Sequence, residues 1–447
     1  MEDNIFILFG ATGDLAKKKL IPALYNLYVK GHSLPIICVS RRIISKAEYI
    51  RLLDLDSNVK NLNKEKLKGF LKNLQYIEFD LQKGNSKDLG NKVINIVQGN
   101  NLKGNMIFYL AISPLLFNDA VKSIKNSGLL KKKGYKRIAF EKPFGEDLKS
   151  AKEINRNIKK VFREKEIFRI DHFLGKELVQ NISVLRFTNS LLKPQWNNKF
   201  IDHVQITLSE NFGVEGRGNF YDKYGAIKDV VQNHMLQIFS LIAMEEPKKL
   251  LSNDIRNEKI KVLKKVEKIK GKNVVQGQYK GYKKVGGVGK NSKTETFAAI
   301  KFFVDNKRWK NAPFYFLTGK NMKRNLVTVL IQFKKAKCLL FEDICDFGPN
   351  HLLIEVQPRE GFHININAKS PGKENIEPIE MNFCHKCKFG PETPEAYENL
   401  FLDIIKGDQS TFVRTDEIEE SWKIVDGIKK NKLYHYKKGS YPKEADK

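Results

Sequence analysis

The stretch Arg169-Ile-Asp-His-Phe-Leu-Gly-Lys-Glu177 places an acid, an imidazole, a glycine and an ammonium within nine residues, directly after a short apolar strand signal. A carboxylate beside a histidine can orient a proton shuttle. His172 and Lys176, four residues apart, can face one anionic group together. Other segments carry further candidates. Lys142, in Glu141-Lys-Pro-Phe-Gly145, follows a strand at the end where open α/β sheets bind ligands. It is placed to bridge a substrate and a cofactor. Glu210, in Glu210-Asn-Phe-Gly-Val-Glu-Gly-Arg-Gly218, offers an acceptor for sugar hydroxyls. Asp229 can bind another hydroxyl near the start of a helix, and His234 lies more than one turn further on. Taken singly, His234 reads equally as a buried, hydrogen-bonded histidine. Lys320 brings a donor in Gly319-Lys-Asn-Met-Lys-Arg324, and Gln357 ends a strand before Pro358.

A cofactor turn opens the chain. Gly10-Ala-Thr-Gly-Asp-Leu-Ala16 joins an apolar strand to a helix. Gly10 permits a tight turn, and Gly13 lets backbone N–H groups approach a pyrophosphate at a helix N-terminus. The spacing is G-x-x-G-x-x-A, so the strand–turn–helix context carries much of the signal. Gly10, Thr12, Gly13, Asp14 and Leu15 are the candidate contacts. The second strand ends in Ser40-Arg41-Arg42, where NAD sites commonly hold a carboxylate. Guanidinium groups there suit a 2′-phosphate, so Arg41 points to NADP.

These groups must be positioned by two kinds of architecture. Residues 4–9, 35–40, 106–111 and 137–140 read as strands, with helices predicted over 15–28, 116–124 and 148–161. Alternation of this kind predicts a parallel, doubly wound Rossmann-like α/β domain over 1–170. After that, longer and partly alternating strands at 200–208, 296–304, 314–317, 327–333, 352–357 and 363–368 predict an α+β domain over 171–447 with a large, mostly antiparallel sheet. Helices near 227–244 and 394–406 interrupt it. The Gly- and Lys-rich stretch 271–293 reads as a surface loop.

The 447 residues exceed one ordinary hydrophobic core, and 41% hydrophobic content suffices for two. No apolar run is long enough for a membrane span, and the start resembles neither a secretory signal nor a transit peptide. The five cysteines predict no disulfide framework, which fits a reducing cytoplasm. Cys384-His-Lys-Cys387 lacks a second ligand pair, so no metal site is expected. The net charge of +29 comes from dispersed lysines in a Lys-, Asn- and Ile-rich chain. This predicts attraction of anionic small molecules and no nucleic-acid interface.

Seven segments, GATGDLAKKKLIPALYNL, EKPFG, RIDHFLGKE, ENFGVEGRGNFYD, KDVVQNH, RWKNAPF and GPETPEAYENL, resemble the glucose-6-phosphate dehydrogenase family in order and spacing over nearly the whole chain. The resemblance implies oxidation of glucose 6-phosphate to 6-phosphogluconolactone with NADP, the entry to the oxidative pentose phosphate pathway. It implies His234 as general base and Asp171 as its carboxylate partner. His172 and Lys176 match phosphate ligands, Lys142 a residue touching sugar and cofactor, and Glu210, Asp229, Lys320 and Gln357 substrate contacts. A homodimer or dimer of dimers, joined through the antiparallel sheet, is implied too. The alternatives are a dehydrogenase of another sugar or sugar phosphate, and an inactive sensor. Three positions depart from the family pattern. Phe173 stands where Tyr is usual, Asn325 where a basic residue is usual, and Glu355 where versions with a second, structural NADP carry a base.

Overall fold

The computed structural model describes residues 4–100, 102–337, 347–372, 375–390, 395–429 and 431–446. The chain forms two compact units. Unit 1 comprises Met1–Gly175, Leu251–Asn253 and Pro394–Ile418, and unit 2 comprises Lys176–Leu250, Asp254–Thr393 and Glu419–Lys447. The units are therefore not consecutive segments of the sequence.

Unit 1 is built on six parallel strands, β1 (Asn4–Phe9), β2 (Ile36–Ser40), β3 (Leu74–Glu78), β4 (Asn105–Leu110), β5 (Lys136–Glu141) and β6 (Ile167–Ile170), in the order β6-β5-β4-β1-β2-β3. All of β1 is buried, as a strand covered on both faces must be. Helices cover the sheet, and Tyr397, Leu400, Phe401 and Ile404 of Ala396–Lys406 enter the same core as Phe6, Leu24 and Tyr109. A short strand, Phe412–Val413, adds antiparallel to the free edge of β6. Beside it, the fully buried guanidinium of Arg169 donates to Glu164 at 2.6 Å and to Asn155 at 3.1 Å. Thr415 donates to the same Glu164 carboxylate through its hydroxyl at 2.8 Å. This network fixes the strand that leads into Asp171.

Unit 2 is a nine-stranded sheet. In chain order its strands are β7 (Ile201–Ser209), β8 (Val274–Tyr279), β9 (Phe297–Phe302), β10 (Phe314–Gly319), β11 (Leu326–Phe333), β12 (His351–Gln357), β13 (Gly361–Lys369), β14 (Ile376–Cys384) and the short Leu433–Tyr436. The spatial order is β14-β13-β12-β11-β7-β10-β9-β8 followed by Leu433–Tyr436. Only β7–β10 and β8–Leu433–Tyr436 pair in parallel. A continuous helical run from Ile227 to Ala243 packs on this sheet. Phe239 makes edge contacts with Phe302 and Phe314 at 5.1 and 4.9 Å.

Two sequence expectations fail here. The stretch 271–293 is not wholly a loop, because Val274–Tyr279 is the largely buried strand β8. Its Gly277 marks close packing rather than a turn: a Cβ there would lie 2.6 Å from Pro442. The cysteines do form a bridge. Cys384 and Cys387, three residues apart where β14 turns into a short helix, are joined as a disulfide with Cα atoms 5.2 Å apart. Cys338 and Cys345 lie outside the described residues.

Burial pushes the Glu164 carboxyl up. The Arg169 charge and the hydrogen bonds from Arg169 and Thr415 outweigh it and hold the group at about 2. Such a depressed carboxyl contributes stability that is fully present above its unfolded value and lost as pH falls through about 2. Glu164→Gln should therefore cost ~2–3 kcal/mol at neutral pH. The gap to the parent protein should close on acidification below the ordinary carboxylate range, as read by urea unfolding at stepped pH. A gap independent of pH would show that the ion pair is not its source.

Candidate active site

In unit 1 the predicted residues gather at the carboxyl ends of the parallel strands, β1 and β2 for the turn and arginines, β5 and β6 for Lys142 and Asp171. Gly10 adopts φ +81°, and a Cβ there would sit 2.2 Å from the Ala111 carbonyl oxygen. No other residue fits. The Gly10 and Ala11 amides donate to Val39, and the Gly13 amide closes the turn on Gly10 at 2.9 Å. A Cβ at Gly13 would meet only the Gly10 carbonyl, so backbone is laid open on the outer side. The Thr12 and Ser40 hydroxyls lie 2.8 Å apart and tie this turn to the end of β2. Asp14 pairs with Lys17 at 3.3 Å, and Leu15 is only partly buried. Arg41 and Arg42 are exposed, and neither forms a salt bridge with a described residue. The Tyr76 hydroxyl donates to the Arg42 carbonyl at 2.7 Å and steadies this corner. A glycine cradle that a Cβ would fill, at the end of a parallel strand, fits a nicotinamide dinucleotide.

The Lys142–Pro143 bond, just after β5, is cis. Glu141 aligns with Ile170, so Lys142 and Asp171 emerge from adjacent strand ends. Asp171 is fully buried and accepts from the Phe173 amide at 3.1 Å, while its carbonyl accepts from Leu174. His172 is partly exposed, with its ring 4.9 Å from that of buried Phe173.

In unit 2, β7 and β10 run parallel with Ser209 opposite Gly319. The next residues, Glu210 and Lys320, therefore emerge side by side and form a salt bridge. Lys320 is buried, and its ammonium stands over the rings of Phe212 and Tyr221 at 5.1 and 5.5 Å. Desolvation, and after it the Asp229 carboxylate, raises the Tyr221 hydroxyl well above its usual range. Tyr221 thus lies among Asp229, Glu210 and Lys320. Its place in GNFYD carries no signal of its own in the sequence. Asp229 and His234 are both buried on the π-helical turn Ile227–Met235, whose wider winding changes which residues share a face. The His234 amide donates to the Asn233 side chain at 2.7 Å.

The end of this helix is pinned by side chains. Arg186 donates to the Leu241 and Met244 carbonyls, Trp196 to Ile242 and Trp309 to Ala243. Its start is held by Glu295, which accepts from the Ile227 amide at 3.1 Å. Lys176 is the residue before the helix Glu177–Phe187, without a side-chain cap bond, and Gln357 closes β12 before a second cis proline. Lys323, Arg324 and Asn325 are exposed and line a cavity of about 580 Å³ together with Glu355, Arg359 and His363. Gln357 does not line it. Glu355 there pairs with Arg359 and His363 at 3.9 and 3.7 Å.

A glycine turn between strand and helix on a parallel sheet marks unit 1 as a dinucleotide-binding unit of the kind dehydrogenases use, and unit 2 carries the buried His234 imidazole and the Lys320–Glu210 ion pair. Comparison with known proteins agrees. Residues 7–181 match the family model for the glucose-6-phosphate dehydrogenase NAD binding domain, and residues 183–447 match that for its C-terminal domain. The chain belongs to the glucose-6-phosphate dehydrogenase family. It is 38% identical to glucose-6-phosphate 1-dehydrogenase of Bacillus subtilis, over 99% of this chain and 96% of that protein. It is 40% identical to the Dictyostelium discoideum enzyme, over 98% and 92%. A solved glucose-6-phosphate dehydrogenase in complex with its substrate glucose-6-phosphate superposes with a TM-score of 0.92 at 34% identity, over 99% and 96%.

Gly225 offers a test of how the helix is aimed. It adopts φ +68°, and a Cβ would lie 2.4 Å from the Glu295 carboxylate. Gly225→Ala should cost ~2–3 kcal/mol through backbone strain and displacement of that carboxylate. Equilibrium unfolding in urea would read it, and a neutral result would show that Glu295 does not hold the helix start.

Proposed function

We propose that this protein oxidises D-glucose 6-phosphate at C1 to 6-phospho-D-glucono-1,5-lactone with NADP⁺, the first step of the oxidative pentose phosphate pathway. The observation that carries this reading is the substrate set of unit 2: buried Lys320 paired with Glu210, and Asp229 and His234 on one buried helical turn. His234 takes the C1 hydroxyl proton. Asp171 orients the imidazole and stabilises its charged form. His172 and Lys176 bind the phosphate, which leaves the far end of the six-carbon sugar for the base. Lys320, Glu210, Asp229 and Gln357 hold hydroxyls, and Lys142 touches both sugar and cofactor.

The cofactor is held by Gly10, Thr12, Gly13, Asp14 and Leu15, with Arg41 on the 2′-phosphate. When bound, the nicotinamide accepts the hydride. Asp171 and His234 are each buried in their own unit, and a carboxylate pulls more strongly on an imidazole away from water. The reading includes a cytoplasmic location and a homodimer or dimer of dimers. Exposed Ile379 and Met381 on β14 support assembly through that end of the sheet. Among the described residues no helix is long and apolar enough to cross a membrane.

The deciding experiment is nicotinamide reduction by the purified protein, with glucose 6-phosphate or glucose and with NADP⁺ or NAD⁺. Turnover confined to glucose 6-phosphate with NADP⁺ is expected, and a folded protein with no turnover in any pairing would overturn the proposal. His234→Asn should cut kcat by a factor on the order of 10² to 10⁴ while glucose 6-phosphate still binds. Near-normal turnover would remove the base assignment. Arg41→Ala should weaken NADP⁺ binding more than NAD⁺ binding. An equal loss for both would undo the 2′-phosphate argument.

A further inference from the structure

Glu141 precedes Lys142 and has no part in the reaction as described above. It is held in an unusual way. The Tyr109 hydroxyl, on neighbouring β4, donates to its carboxylate at 2.5 Å. Tyr397 bonds to the same group from the helix Ala396–Lys406, some 250 residues further along the chain. Both tyrosines are buried, at 0% and 8% exposure. Glu141 is partly exposed as a residue, and burial is the largest influence on its carboxyl. The charged groups that face it are Asp171, from the segment after β6, and Lys142 beside it at the end of β5. The motif that supplies Tyr397, PEAYENL, also supplies Glu398, which accepts from Lys30 at 2.6 Å and Asn26 at 2.9 Å. That helix is thereby anchored in place over the strand ends.

We infer that Glu141 is a positioning residue: its carboxyl, gripped by the Tyr109 and Tyr397 hydroxyls, sets the charge felt by Lys142 and Asp171 and couples both to proton concentration. The inference rests on reading Lys142 and Asp171 as site residues. Ionised, the carboxylate accepts from both tyrosines, draws on Lys142 and adds a second negative charge near Asp171. That charge strengthens the field with which the site holds a proton on an imidazole. Protonated, it donates to one neighbour and the added charge is gone. The proton passes to or from water, and no bond to a substrate forms. Burial raises the carboxyl, the tyrosine hydroxyls partly offset this, and Asp171 raises it further, to about 7. The exchange therefore falls near neutral pH.

The test joins infrared titration of the ligand-free protein to pH profiles of kcat/KM for the parent, Glu141→Gln and Tyr397→Phe. A protonated-carboxyl stretch is expected to grow in as pH falls through about 7 and to be absent from Glu141→Gln. Tyr397→Phe removes one donor to the carboxylate. The infrared midpoint and the acid limb of kcat/KM should both move upward by about one pH unit, a tenfold change in proton affinity. A purely structural tyrosine would lower the melting temperature and leave both midpoints in place. A band that persists in Glu141→Gln, or a midpoint unmoved in Tyr397→Phe, would overturn the inference. The infrared arm needs no substrate. If glucose 6-phosphate is not turned over, the reaction assigned above fails while the titration still decides the role of Glu141.

Discussion

A helix that ends inside protein leaves its last carbonyls without partners, and each must be satisfied or costs free energy. The run that carries Asp229 and His234 faces this constraint in full, because every residue from Val230 to Ala243 is buried. Three side chains from three places in the sequence answer it: the Arg186 guanidinium and the indoles of Trp196 and Trp309. All three are themselves buried, so none can be altered without exposing carbonyls to an apolar surround. Arg308, next to Trp309, adds a donation to the Trp196 carbonyl at 2.8 Å and a salt bridge to Glu245. The position of the imidazole is set from the far end of its helix by residues that never meet a substrate. This accounts for RWKNAPF in physical terms.

Much of the site was legible in the sequence because it is local. The cofactor turn declares itself because Gly10 and Gly13 are demanded by backbone geometry within a few residues. The same holds for Ser40-Arg41-Arg42, which simply ends a strand, and for RIDH, which follows one. What stayed hidden depends on distant partners. The π winding at Ile227–Met235 follows a kink at Gly225 and the Glu295 cap, and neither shows in the apolar periodicity. Glu141 could be read as part of EKPFG, but not as held by tyrosines drawn from β4 and from residue 397. Leu74–Glu78 gave no strand signal because an edge strand with one half-exposed face alternates weakly.

The departures from the family pattern take structural form in the same way. Phe173 is buried with its ring against His172, so the missing hydroxyl is replaced by apolar packing. Glu355 is buried and engaged by Arg359 and His363, so that corner of the sheet carries its own internal charge balance. Asn325 is exposed between Arg324 and Leu326, and the flanking cations Lys323 and Arg324 share the same cavity wall.

The return of residues 394–418 to unit 1 constrains how the molecule can be made. A polypeptide leaves the ribosome from its N-terminus, and domains ordinarily fold in that order. Here the first unit cannot close when its own strands have emerged. Its β6 edge waits for Phe412–Val413, its core for Leu400 and Phe401, and Glu164 for Thr415. Most of unit 2 must be translated before these arrive. The nascent sheet therefore spends most of synthesis with one edge and one apolar face open. The unit encoded first is completed only after most of the second has been made, and any pause or truncation upstream of residue 394 strands it incomplete.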